Sequence, residues 1–225
     1  MDLLVNVSMV ILINIVLSGD NAIVIALACR ALPPDQKKKA IIWGSGLAVA
    51  FRIILVGIAT YLLQIPFLQF IGGLALVYIG YQLLAADDDY DGLEASNSFW
   101  IAVKAILAAD LIMSLDNVLA IAGVAKGDWL ILILGLAISI PLVIFGAQIL
   151  TSLMNRFPIV VYIGAGLIAW TAAEMMCGDK MIGHFIVQYA LILKIVITGG
   201  VLVIGYMRKP KPEKETVKES TKPAN

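Results

Sequence analysis

Histidine occurs once in the 225 residues, as His184, and cysteine twice, as Cys29 and Cys177. A single imidazole makes a poor transition-metal site, and His184 reads as a surface residue in the outer connection before the last apolar segment. The two cysteines fall near the ends of apolar segments on opposite sides of a membrane, which excludes a disulfide between them, so both read as packing residues. Charge is also scarce: Asp, Glu, Lys and Arg make up 14% of the chain, and 16 acidic residues balance 16 basic ones. No nucleic-acid-binding face follows from such a balance. The Met1-Asp2 start lacks the basic region of a signal peptide, and the first apolar run is about twice a signal-peptide core, so it is expected to remain as a helix.

What fills the chain is apolar: 61% of residues are hydrophobic and the mean hydropathy is +0.96. A soluble domain has roughly 45–50% apolar content, so lipid must cover much of this surface. Seven stretches are long enough to cross a hydrocarbon core: Leu3 to Cys29, Ala40 to Leu63, Phe67 to Ala86, Phe99 to Ala125, Trp129 to Leu153, Phe157 to Met176 and Gln188 to Met207. Lipid offers unpaired backbone groups no partner, so the expected fold is an all-α membrane protein with seven transmembrane helices. Arg30 and Lys37 to Lys39 follow the first stretch, Arg156 separates the fifth and sixth, and Arg208, Lys209, Lys211 and Lys214 follow the seventh. The connections on the other side hold only Lys126 and Lys180. The bias predicts a multi-pass protein of the cell membrane, its N-terminus outside and its C-terminus cytoplasmic.

The chain also repeats itself. Asn14-Ile-Val-Leu-Ser18-Gly19-Asp20-Asn21 aligns without a gap on Asp110-Leu-Ile-Met-Ser114-Leu115-Asp116-Asn117. Gly46-Leu47-Ala48 and Gly57 pair with Gly135-Leu136-Ala137 and Gly146, and Phe70-Ile71-Gly72 pairs with Tyr162-Ile163-Gly164. Helices 1–3 and 4–6 therefore form two copies, and an odd number of crossings per copy turns the second upside down, the inverted-repeat plan of many secondary transporters. The expected layout is a first repeat over 1–86, an acidic cytoplasmic linker over 87–98, a second repeat over 99–177, a seventh helix over 188–207 and a basic, disordered tail over 208–225. The linker's Asp87-Asp88-Asp89-Tyr90-Asp91-Gly92-Leu93-Glu94 can gather cations, though a solvated connection is the commoner use of such a run.

The chemistry lies in the duplicated motif. Asp20 and Asp116 sit a few residues past the middle of their segments, where an unpaired Asp costs about 2.5–3.5 kcal/mol on insertion scales. Intramembrane charges of this kind line an ion path or pair with one another; a purely structural polar cluster is the alternative. Asn14, Ser18 and Asn21 share one helix face, as do Asp110, Ser114 and Asn117, and Asp20 and Asp116 point about 100° away from their Asn neighbours in a regular helix. Joint coordination then needs two flanking faces or an unwound segment, which Gly19 favours in the first helix. Carboxylate, carboxamide and hydroxyl groups without Cys or His favour Mg, Ca or Mn over Zn or Cu. Met113 offers a soft contact but reads as packing, and Glu174 and Lys194 lie near helix ends, within reach of the interface.

Arg52 stands at the centre of the second helix, where the other copy has Pro141. An arginine there needs a carboxylate partner, for which Asp110 and Asp116 are the candidates. Three membrane aspartates, Asp20, Asp110 and Asp116, against Arg52 leave the charge that one divalent cation neutralises. Arg52 can serve as a counter-ion that moves during transport or as half of a fixed pair locking helices 2 and 4.

The paired Ser18-Gly19-Asp20-Asn21 and Ser114-Leu115-Asp116-Asn117, with Asn14 and Asp110 upstream, resemble the TerC family of membrane proteins, in particular its bacterial metal-transport branch. The likeness spans Leu3 to Met207. It implies metal-ion export, chiefly of manganese, with a link to tellurite resistance in the family name and to the supply of metal to exported enzymes. It also implies that Asp20, Asn21, Asp116 and Asn117 are ligands. Asn14 stands where the second copy has Asp110, so these two positions are not equivalent. The expected protein is therefore a secondary transporter and not an enzyme. It needs no resident cofactor; its partners are membrane lipid, a divalent metal ion as substrate and protons as a coupling ion. Two rivals remain: a non-transporting membrane scaffold that tolerates replacement of Asp20 and Asp116, and an intramembrane aspartyl protease in which two Asp share a proton. The Asn after each Asp, and the lack of Tyr-Asp and Gly-x-Gly-Asp patterns, count against the protease.

Overall fold

The computed structural model describes residues 6–12, 18–62, 64–89, 95–125 and 128–207, without the side chains at 59, 60, 86–89, 95–97, 116, 118–120 and 122–125. Among these residues every regular element is helical. Helical residues 6–12 precede α1 (Gly19–Cys29), α2 (Pro34–Leu62), α3 (Leu68–Asp89), α4 (Ala95–Ala125), α5 (Trp129–Arg156) and α6 (Ile159–Gly178). A short α7 (Gly183–Ile186) and a 3-10 turn, Val187–Tyr189, lead into α8 (Ala190–Met207). Among the described residues, six stretches are long and apolar enough to cross a membrane: Pro34–Ile58, Leu68–Ala85, Ser98–Leu115, Trp129–Arg156, Ile159–Gly178 and Gly183–Met207. They correspond to the second through seventh segments expected from sequence.

The first segment differs. α1 has 11 residues, about 16 Å of helix, against a hydrocarbon core of about 30 Å. The stretch 13–17 between it and helical residues 6–12, which includes Asn14, lies outside the described residues. So do positions 90–94 of the acidic linker and the whole tail from 208; α3 itself continues through Asp89 and α4 begins at Ala95.

Helix ends follow local chemistry. Pro34 opens α2 at a position whose N–H needs no partner, and Pro33 O accepts from Gln36 N at 3.0 Å and Lys37 N at 2.9 Å. The Asp128 carboxylate caps α5, accepting from Leu130 N at 2.8 Å and Ile131 N at 3.3 Å. Asp179 caps two starts at once. Its Oδ1 accepts from Met181 N at 2.9 Å and Ile182 N at 3.2 Å in the turn before α7, and its Oδ2 accepts from Phe70 N at 3.2 Å in the first turn of α3. Burial pushes the Asp179 carboxyl up, but these backbone donors outweigh it and hold the group below the usual carboxylate range.

α2 packs along α4, α3 along α6, α1 along α5 and α6 along α8, while α1 also meets α4 and α6, α3 meets α4, and α2 meets α5. α1 is central, with only Ile23 left partly exposed from Asn21 to Cys29. α6 contributes Ala165, Ala169, Ala172 and Ala173, all fully buried, so its neighbours approach closely. A Cβ on Gly73 of α3 would stand 2.6 Å from Met176 Cγ and 2.7 Å from Ala172 O. On the outside, α8 turns Leu191, Ile192, Ile195, Val196, Val203 and Ile204 outward, an apolar face suited to lipid. Lys194 Nζ meets Glu174 Oε1 at 3.3 Å and lies 5.2 Å from the Trp170 ring centre, so these near-terminal charges pair between α6 and α8. His184 is exposed and Met113 is buried in the core, as expected, and both cysteines are free.

Candidate cation site

The two copies of the repeated motif adopt different backbones. α4 runs as helix through Asp110, Ser114, Asp116 and Asn117. In the first copy a helix begins inside the motif: Ser18 is the N-cap, with φ −106° and ψ 4°, and Gly19 is the first residue of α1. The first intrahelical bond runs from Ala22 N to Ser18 O at 3.0 Å. Glycine at this position, against Leu115 in the other copy, offers no side chain to oppose a chain entering the helix from a non-helical residue. Asp20 lies in the first turn, where its negative charge complements the positive end of the helix dipole, and its Oδ1 accepts from Asn21 N at 2.8 Å.

Arg52 joins the two motifs. From α2 its Nε donates to Ser114 Oγ at 3.0 Å and its Nη1 donates to Ser18 Oγ at 3.3 Å, while its Nη2 pairs with Asp110 Oδ1. Ser114 in turn donates to Asp110 Oδ2 at 3.3 Å, across one turn of α4. A single guanidinium thus holds both equivalent serines of the repeat and one carboxylate. Its planar fork of five donors allows this where an ammonium could not span the same three acceptors. Arg52 and Asp110 are 3% and 7% exposed. Of the two carboxylates considered for Arg52, Asp110 is a partner, and the Asp116 side chain lies outside the described residues.

Beside this cluster is a cavity of about 20 Å³ to a water-sized sphere, lined by the polar side chains of Ser18, Asn21, Ser45, Arg52 and Asp110 and flanked by apolar residues, among them Ile140 and Val143 of α5. Its volume suits one water molecule or one dehydrated ion. Asn21 and Ser45 are each 3% exposed, and Asn21 Oδ1, Asn21 Nδ2 and Ser45 Oγ have no hydrogen-bond partner.

The structure therefore gathers Ser18, Asn21, Arg52, Asp110 and Ser114 around one point. Asp20 is adjacent on α1, half-buried and not part of the cavity wall; Asn117 is partly buried further along α4. The Asp116 side chain and Asn14 lie outside the described residues. Among those described, no three His, Cys, Asp or Glu side chains converge on a metal-sized point. Ser45 is the residue that sequence reasoning missed. Its only trace is its spacing of seven from Arg52, which puts both on one face of α2.

Comparison with known proteins adds the family. A model described as "Integral membrane protein TerC family" matches residues 1–213. The chain belongs to the TerC family. It is 43% identical over 191 residues to the uncharacterized membrane protein YjbE of Bacillus subtilis, covering 85% of this chain and 88% of that one. A second relative, the uncharacterized membrane protein YceF of Bacillus subtilis, is 27% identical over 211 residues, covering 88% of this chain and 80% of that one. The UPF0053 protein YegH of Escherichia coli is 28% identical over 171 residues, 67% of this chain but 32% of its own length. No solved structure matches. Membership in the TerC family and the six long apolar helices make this a multi-pass integral membrane protein.

Proposed function

We propose that the protein is a secondary transporter that exports a divalent metal cation, manganese foremost, through an Asp/Asn site at the interface of α1 and α4, in exchange for protons. The observation that carries this reading is the buried cluster of Ser18, Asn21, Arg52, Asp110 and Ser114 inside an otherwise apolar bundle. Intramembrane ionisable groups mark ion paths by default, and these come from both copies of one motif. In this reading Asp20, Asn21, Asp116 and Asn117 supply the ligands, with Ser18, Ser114, Asp110 and Asn14 around them. Arg52 supplies a fixed positive charge that leaves the three aspartates two charges short of neutrality, the charge of one divalent ion.

The inverted repeat belongs to the same proposal. If α1, α2 and α3 exchange with α4, α5 and α6, the packing of α2 on α4 maps onto that of α5 on α1, and α1 on α6 maps onto α4 on α3. The pairs α1 with α4, α2 with α5 and α3 with α6 map onto themselves. Such a pattern supports a two-fold axis in the membrane plane passing near Arg52, where Ser18 and Ser114 meet one guanidinium. Seven crossings, an outer N-terminus and a cytoplasmic C-terminus complete the plan.

The test is metal flux in proteoliposomes containing the purified chain, with Mn, Mg and Ca offered in turn. Wild-type flux of one hard divalent ion is expected, lost in Asp20→Ala and in Asp116→Ala. The engagement of Asp110 by Arg52 favours a second reading, a scaffold with a fixed ion pair; flux absent from the wild type would select it.

A further inference from the structure

We propose that Ser45 is a ligand of the transported cation, its hydroxyl and the Asn21 carboxamide forming a buried subsite beside the Arg52–Asp110 pair. The word "transported" rests on the reading above; the subsite itself rests on geometry. Ser45 of α2 and Asn21 of α1 are each 3% exposed, both line the same cavity of about 20 Å³, and neither side chain has a hydrogen-bond partner. A buried polar group left in this way is costly, and a helical serine has a local remedy, the carbonyl three or four residues earlier. Two other buried hydroxyls of the bundle use it: Ser139 donates to Leu136 O at 2.7 Å and Thr151 to Ala147 O at 2.7 Å. Ser45 forgoes it and faces the cavity.

The chemistry of the wall selects a cation. Asn21 Oδ1, Ser45 Oγ, Ser18 Oγ and the Asp110 carboxylate are hard oxygen acceptors, while the Arg52 donors are directed to Ser114, Ser18 and Asp110. An anion there would meet Asp110, and an organic solute would not fit. A cation is repelled by the guanidinium and attracted by Asp110, so its entry competes with Arg52 for that carboxylate. Ser45 precedes Arg52 by seven residues on α2, about 10 Å along the axis toward the end that begins with Pro34 and carries Lys37 to Lys39. The subsite thus lies on the basic-loop side of the ion pair, where an ion from that side would shed water before reaching Asp110.

Replacing the hydroxyl by a thiol keeps the volume and converts a hard ligand to a soft one. In proteoliposomes, Mn flux by Ser45→Cys is expected to be blocked by Cd at a concentration at least about 10-fold below that needed for the wild type, which carries the native thiols as background. Gly46→Cys, on the exposed side of α2, should match the wild type. Ser45→Ala should raise the half-saturating Mn concentration about 5-fold, the loss of one ligand contact. Thermal unfolding of the purified full chain with and without Cd supplies a readout independent of flux: Ser45→Cys should be stabilised by Cd more than the wild type and Gly46→Cys. Unchanged Cd sensitivity together with an unchanged Cd thermal shift in a folded Ser45→Cys protein overturns the subsite and leaves the cavity to water. A wild type that moves no divalent ion overturns the transport reading instead, and the thermal shift still decides the subsite.

Discussion

Arg52 on α2 and Asp110 on α4 form an ion pair whose side chains are 3% and 9% exposed. At such burial each charge depends on the other, because desolvation of an unpaired ion is far costlier than that of a matched pair.

Removing one partner should therefore cost more than removing both. Arg52→Gln alone and Asp110→Asn alone are expected to destabilise the protein by about 3–5 kcal/mol when the remaining charge stays buried. The double variant Arg52→Gln/Asp110→Asn should recover more than half of that loss. Unfolding of the purified variants in detergent measures the cycle, and additive losses would show that the two side chains do not depend on each other.

Charge and shape can be separated at the motif aspartates. Asp20→Asn and Asp116→Asn keep the side-chain outline and remove the charge, so metal flux should fall by at least about 10-fold in each, the effect of losing one charged ligand contact, while expression and unfolding stay near wild type. Wild-type flux in both variants would show that their charge is not used.

Asp179 gives a pH prediction outside the membrane-spanning helices. Its carboxyl is held below the ordinary value by backbone donors, so the stabilisation it contributes is present above the unfolded-state carboxylate pKa and is lost as pH falls through the lower folded value. Asp179→Ala should destabilise the protein by about 0.5–2 kcal/mol, the range for one cap, and flatten the acid limb of a stability–pH profile. Asp179→Asn, which can still accept from backbone N–H, should lie between. Thermal unfolding across a pH series distinguishes the three.

At the α3–α6 contact, Gly73→Ala places a methyl 2.6 Å from Met176 Cγ and 2.7 Å from a backbone oxygen, and should cost about 1–3 kcal/mol from overpacking. Gly46→Ala, with nothing within 4 Å, should be neutral or mildly stabilising because alanine favours helix. Unfolding midpoints of the two variants check the contrast.

Reporter fusions after Lys39 and at Asn225 test the topology. Both are expected to read cytoplasmic, and a split result would overturn the seven-helix inverted plan.

Much of this was legible in the sequence because the membrane imposes it. Apolar length alone located the segments now seen as α2 to α6 and α8, and the Gly19 for Leu115 exchange marked the copy in which a helix begins inside the motif. An arginine amid apolar residues announced its need for a carboxylate; that Asp110 meets it depends on how α2 lies along α4. Ser45 was illegible for a sharper reason. In sequence it resembles Ser139 and Thr151, whose hydroxyls bond their own helix, and only the packing of α1 against α2 tells a serine that is satisfied from one that is not. The ion pair at positions 174 and 194 reads the same way, since the pairing of Glu174 with Lys194 is set by the docking of α8 on α6.

The double cap at Asp179 reaches beyond stability. One carboxylate fastens the turn after α6 to the first turn of α3, and Gly73 sits against Met176 with no room for a methyl. The N-terminal end of α3 and the C-terminal end of α6 are thus riveted together by a charge and a close contact at once. If the proposed transport proceeds by alternating access, these two helices would turn as a single strut, and the hinge would fall to α1, whose helix begins at Ser18 and is tied to its surroundings there through Arg52. The anchor and the pivot of such a machine would then lie in different helices, one built from small residues and the other from a guanidinium.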